Sequence, residues 1–449
     1  MNELKLLVVS WVPVSFLLYK ILKSSGGSTG IPIAYFIGLL LIHLPGAAIY
    51  IIPEYSYYDS ETILSGFRLT TYSMFAFVVG VWVAGRKSSI SRVSRSVSST
   101  VDFTLDKLML KRLALGLVLV GFFVQFVLMA ILPPLPSITA ILSGMGQLSV
   151  VGVCIGITVA LQWRDNVELR RWFLLALSYP FITLITSAFV GYGVHALVII
   201  LAFYLFFTRL TKMKVFLAVA LIYMGISFFV TYMRDRSDIR ESFWYEQIGY
   251  SDRMDHISRL MTDFEFFSVE NENHLNYIDL RLNQNMLVGE SINYMEYGGI
   301  PFLNGETILT AFIALIPRII WPGKPEVGGG GDLVTLYTGI QFAENTSVGA
   351  GQVLEFYINF GWWGTVFCFM AFGLVVRYFD IQAASAIRKG NYTKMIFWFL
   401  PSIGFIQAGG NFAEVTTTVI ASLGSAYVAV NLFKKYLLKN NKQVIASGV

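Results

Sequence analysis

Between residues 233 and 352 the sequence places seven arginines and one lysine: Arg234, Arg236, Arg240, Arg253, Arg259, Arg281, Arg318 and Lys324. A guanidinium is a planar fork of donors that grips phosphate through two parallel hydrogen bonds, so a stretch this biased toward arginine predicts phosphate chemistry. The same stretch carries Asp235, Asp238, Glu241, Glu246, Asp252, Asp255, Asp263 and Glu265. Exposed ion pairs with these carboxylates are the expectation for Arg240, Arg253 and Arg259. Arg234 directly follows an apolar stretch and Arg318 lies inside one, which puts their charges at membrane depth, where an ionisable group marks function. The predicted phosphate-binding set is Arg234, Arg236, Arg281, Arg318 and Lys324.

The chain that must position these groups is 55% hydrophobic and 14% charged, with a mean hydropathy of +0.63 over 449 residues. Soluble domains average about a quarter charged residues, so this is a membrane protein throughout, read as a single membrane domain over 1–449. The expected fold is all-α and polytopic. A crossing helix needs about 20 mainly apolar residues, and 11 stretches qualify or nearly so: 4–22, 31–53, 66–85, 112–132, 138–162, 172–190, 194–209, 214–233, 352–376, 395–411 and 414–433. The first lacks a basic leader and a small-residue cleavage site, and reads as a retained helix. Cys154 and Cys368 fall in apolar runs as packed thiols, with no zinc spacing and no disulfide framework. The net charge of +5 carries no nucleic-acid signal.

Assigning every second connection to the cytoplasm gathers most of the 33 Lys and Arg there, including Arg86, Arg164, Arg170, Arg209, Arg377, Arg388, Lys394 and Lys434. The positive-inside rule then puts the N-terminus outside, the C-terminus inside and the polar stretch 234–351 in one large extracytoplasmic loop. Residues 306–321 are apolar, yet a crossing there would reverse the charge bias that follows. A re-entrant or interfacial helix is expected instead, ending near Pro317.

That loop holds Ile316-Pro317-Arg318 followed by Trp321-Pro322-Gly323-Lys324-Pro325, and the next membrane helix opens with Gly351 through Glu355-Phe356-Tyr357-Ile358-Asn359-Phe360-Gly361. With the many spans and the single large outer loop, the combination resembles the Wzy-type oligosaccharide repeat-unit polymerases of O-antigen and related surface polysaccharides. The resemblance implies a GT-C-like, inverting, metal-independent glycosyltransferase in the bacterial inner membrane, active on its periplasmic face and needing no cofactor. Its substrates would be undecaprenyl-pyrophosphate-linked oligosaccharides, and a chain-length-regulating co-polymerase would be a partner. Loss of a pyrophosphate leaving group calls for cations where charge develops, a role the arginines suit. The base at the acceptor hydroxyl would be Glu355, Asp332 or His274, and Trp321, Tyr294 and Tyr357 would offer aromatic faces to sugar rings.

Two other activities fit parts of the sequence. Gly329-Gly330-Gly331-Asp332 matches the G-x-G-D pattern of intramembrane aspartyl proteases, but the helices offer no convincing second aspartate. A lipid-linked oligosaccharide transporter would have similar spans, but would show internal repeats and charges at the midplane of several helices. Here polarity is concentrated in one loop. An O-antigen ligase would share the physics of the polymerase and differ only in acceptor.

Overall fold

The computed structural model describes residues 2–25, 27–90, 107–132, 136–246, 249–316, 320–321, 323–324, 330–342 and 348–446. Helices form all the regular structure among them, with no strand. In chain order these are α1 Asn2–Ser24, α2 Ile31–Ile49, α3 Ser60–Ile90, α4 Lys107–Phe123, α5 Pro136–Gly146, α6 Leu148–Gln162, α7 Asn166–Ser187, α8 Gly191–Phe207, α9 Lys212–Arg234, α10 Tyr250–Thr262, α11 Glu272–Leu282, α12 Gln284–Gly298, α13 Glu306–Ala314, α14 Gly330–Thr338, α15 Gly351–Arg388, α16 Tyr392–Ile403 and α17 Phe412–Ala446.

Among the described residues, eight helical stretches are long and apolar enough to cross a membrane: Asn2–Ser24, Ile31–Ile49, Ser60–Arg86, Lys107–Leu128, Thr139–Gln162, Lys212–Arg234, Gly351–Arg388 and Phe412–Lys435. The chain is an α-helical membrane protein. The other three expected crossings are helical but fall short of that standard. Helix α7 opens with Glu168, Arg170 and Arg171, α8 has 17 residues, and the stretch expected at 395–411 is the 12-residue α16, which contains Pro401. Helix α13 ends at Ala314, one turn before the proline expected to stop it, and its 9 residues are too short to span.

Helix α3 is the axis of the core and packs against α15, α12 and α1. Glycines permit this closeness. A Cβ added at Gly80 would sit 2.1 Å from the Met370 carbonyl oxygen, and one at Gly66 would sit 2.1 Å from that of Asn285. Small residues at such crossings let backbones approach where lipid supplies no hydrophobic drive between helices.

Two features fix the ends of this bundle. At one end, Arg377 and Asp380 of α15 pair with both side chains fully buried. Asp380 accepts hydrogen bonds from Ser28 Oγ at 3.0 Å and from the Thr29 amide at 2.7 Å, while Arg377 donates to Ser25 Oγ at 2.7 Å. The connection between α1 and α2 is thus clamped to α15. At the other end, α15 breaks at Gly361, whose φ of 65° and ψ of −165° suit only glycine. Residues 302–305 dock there, with Leu303 N donating to Ile358 O at 2.9 Å and Asn304 N to Asn359 O at 3.1 Å.

Candidate functional site

The described arginines of the large polar stretch divide sharply by partner. Arg234, at the last turn of α9, is fully engaged: Nε and Nη2 donate to the two Asp235 oxygens at 2.7 Å each, and Nη1 donates to Glu265 Oε1 at 2.5 Å. As a phosphate ligand it would first have to leave two carboxylates. Lys324 is similarly committed. Its ammonium donates to the carbonyls of Ala314 and Ile316 at 2.6 and 2.8 Å, closing the C-terminal end of α13. Arg318 lies outside the described residues.

Arg236, Arg240 and Arg281 behave differently. Among the described residues, none has a carboxylate within 4 Å. Burial holds the Arg236 guanidinium below its ordinary pKa, and the positive charges of Arg281 and then Arg240 push it further down. Arg281 is lowered in turn by the protein around it and by Arg240, although its side chain keeps an open surface. Three like charges sharing one locality repel one another, and an arriving anion would relieve that repulsion. Arg240 was expected to form a surface ion pair. Instead its guanidinium lies 4.6 Å from the Phe189 ring centroid and 4.8 Å from that of Trp244, and its buried Nε has no hydrogen-bond partner among the described residues.

A small apolar cluster supports the three. Leu184 and Ala188, at the end of α7, pack with Tyr232 of α9, Ile239, Phe243 and Ile257. The Tyr232 hydroxyl donates to Ala188 O at 2.9 Å and also meets Arg236. The turn Arg236–Arg240 continues into the π-helical segment Glu241–Tyr245, which brings Phe243 inward and Arg240 onto Trp244.

The paired arginine has its own role. Residues 263–267 run along α9, with Glu265 N donating to Thr231 Oγ1 and Phe267 N to Ser227 Oγ, each at 3.0 Å. Glu265 then accepts from His274 Nε2 at 2.9 Å, while His274 Nδ1 accepts from the Ser268 amide at 3.2 Å. With both ring nitrogens engaged and 3% exposure, His274 is a strut for the loop. The hydrogen bonds from His274 and Arg234 hold the Glu265 carboxyl below its usual range. Its contribution to stability is therefore present above the unfolded carboxylate value of about 4.3 and lost as pH falls through the lower folded value. Hydrogen exchange at the 263–271 amides, corrected for its intrinsic pH dependence, is expected to stay slow down to about pH 4 and to quicken below it; protection lost already between neutrality and pH 5 would show that Glu265 is not the anchor.

Glu355 is 2% exposed at a junction of three elements. Its Oε2 accepts from Phe412 N at 2.5 Å and so caps α17, and Thr307 of α13 reaches the same carboxylate. Asn359 braces the junction, donating to Thr307 Oγ1 and to Glu355 O at 2.7 Å each. Glu414 lies close enough for its charge to act on Glu355, and it is exposed. The other candidates scatter. Asp332 is exposed in the first turn of α14, Tyr294 and Trp321 present open rings, and Tyr357 is 1% exposed against Phe302 and Trp362, so it offers no free face.

A buried polar chain escaped the sequence reading. Asp279 of α11, 2% exposed, accepts from Tyr50 Oη at 2.7 Å, Tyr55 Oη at 2.9 Å and Asn283 Nδ2 at 2.5 Å. Burial raises its carboxyl above the usual range and outweighs the three hydrogen bonds, which act to lower it. The chain continues through Asn283 to Asn285 at 2.9 Å and on to His43 Nδ1 at 2.8 Å, inside α2. The tyrosines clustered at 50–58 were the sequence signal. Among the described residues, no three His, Cys, Asp or Glu lie together as a metal site would require.

Residues 59–441 match the family described as Domain of unknown function (DUF8712). The chain belongs to that family. The DUF8712 match takes in the arginine cluster, the Glu355 junction and Asp279, while Tyr50, Tyr55 and His43 precede it. No curated protein and no solved structure matches the chain.

Proposed function

We propose that this protein polymerises undecaprenyl-pyrophosphate-linked oligosaccharides by inverting glycosyl transfer on the outer face of a bacterial inner membrane. The observation that carries the reading is the cluster of Arg236, Arg240 and Arg281, with no carboxylate within 4 Å among the described residues and built at the end of membrane-spanning α9. A diphosphate anchored in lipid would arrive at that depth. The resemblance of the Ile316–Pro325 and Gly351–Gly361 stretches to Wzy-type polymerases supplies the substrate class.

In the proposed reaction an acceptor hydroxyl attacks the anomeric carbon of the growing glycan. The bond from that carbon to the pyrophosphate oxygen breaks, and undecaprenyl pyrophosphate leaves with the electron pair. The arginine cluster stabilises the charge developing on the leaving group, where fixed cations act most strongly. The hydroxyl proton passes to a carboxylate, and Glu355, with Glu414 beside it, is the assignment tested first. The two roles of Glu355 separate by substitution. Glu355→Gln keeps an acceptor for the Phe412 amide and should fold normally while losing elongation, whereas Glu355→Ala should also lose about 1–3 kcal/mol of stability by orphaning a buried donor. Normal elongation in the Gln variant would remove Glu355 as the base.

A second reading, transport of the same lipid-linked glycans, is favoured by one specific finding. Polar groups do lie inside the helices, with the Asp279 to His43 chain ending at a buried His43 Nε2 that has no hydrogen-bond partner among the described residues. Deleting the gene separates the readings: acceptors carrying a single repeat unit indicate a polymerase, and acceptors carrying none indicate a transporter or a ligase.

A further inference from the structure

Helix α16 packs along α17, and where α16 begins the two helices leave a groove of about 380 Å³. Asn391, Lys394 and Phe397 line one side, and Tyr427, Asn431 and Lys434 the other. No carboxylate lines the groove, and neither ammonium has an acidic partner within 4 Å among the described residues.

We propose that this groove holds the phosphodiester headgroup of an anionic phospholipid. Three features argue for a lipid. Lys434 ends the apolar span Phe412–Lys435, and Lys394 lies in the first turn of an apolar helix running back into the bundle, so both charges sit at the boundary of the hydrocarbon layer. Basic pockets between membrane helices on the cytoplasmic side suit anionic headgroups, and this is the side to which the positive-inside rule assigns 377–394 and 434–442. Ile420, Tyr427, Asn431 and Lys434 also follow one another at spacings of seven, four and three, which keeps them on one stripe of α17. Ile420 is 48% and Tyr427 64% exposed. The stripe gives an acyl chain an apolar track leading away from the headgroup, which a free phosphate would not use. The two ammonium groups and the Asn431 amide supply donors to the phosphate oxygens.

The full chain, purified in a neutral detergent, tests this by native mass spectrometry with phosphatidylglycerol and phosphatidylcholine of matched acyl chains. Phosphatidylglycerol should be retained about thirtyfold better, the effect of two lysines beside an anionic headgroup. The double variant Lys394→Gln/Lys434→Gln should bring the two lipids to parity, while Lys435→Gln, at an exposed lysine outside the groove, should not. An excess of inorganic phosphate should leave the bound lipid in place. Equal retention of the two lipids by the unaltered protein would overturn the proposal and needs no variant. Loss in Lys435→Gln equal to that in the double variant would reduce the effect to general surface charge, and displacement by inorganic phosphate would make the ligand a free anion.

Discussion

Converting Arg240 to glutamine is expected to slow glycan elongation by about a hundredfold, and converting Arg236, Arg240 and Arg281 together to abolish it. The magnitude is that of removing one preorganised donor from a site where negative charge develops. Arg240 also lies against the Phe189 and Trp244 rings, so its loss costs up to about 1 kcal/mol of packing. Arg240→Lys distinguishes charge from geometry: it keeps the cation, loses the planar fork and should recover only part of the rate. The readout is the ladder of surface glycans on a gel, with variant protein in the membrane measured alongside. A triple variant present at parental level and making polymer of normal length would rule out the cluster as the diphosphate site. Arg234→Ala, by contrast, should loosen the segment held by Glu265 and affect elongation only through it.

The second large effect concerns stability. Arg377→Met leaves Asp380, which has no exposed surface, without its guanidinium partner, and breaking such a buried pair on one side costs about 3–5 kcal/mol. Asp380 still receives hydrogen bonds from Ser28 and Thr29, which moderates the loss. The double variant Arg377→Met/Asp380→Leu should be appreciably more stable than either single change, because no buried charge is then left alone. Thermal unfolding of the purified protein in detergent checks both statements. A single variant whose midpoint equals the parent's would contradict them.

Much of the fold was legible because a membrane demands long apolar runs, and those runs stand out in any sequence. Helical segments occur within all eleven expected stretches, eight of them long and apolar enough to cross a membrane among the described residues, and a short helix begins at Glu306. What did not read through is pairing. From sequence, Arg234 and Arg240 differ only in distance from an apolar stretch. In three dimensions Asp235 and Glu265 fold onto the first, while the π-helical turn at Glu241–Tyr245 carries the second onto two aromatic rings. Arg377 read as one more topological charge and proved to be a fully buried clamp. The Asp279 chain was hidden for a different reason, since it draws on residues 43, 50, 55, 279, 283 and 285, and no local spacing relates the first three to the last.

At Gly361 the carbonyls of Ile358 and Asn359, which an unbroken helix would commit to its next turn, instead accept the amides of Leu303 and Asn304. A segment some fifty positions upstream is thereby spliced into the ladder of α15. The rod from 351 to 360 and the strap from 302 to 314 are thereby stitched backbone to backbone beside the glycine break, one helical turn from Glu355.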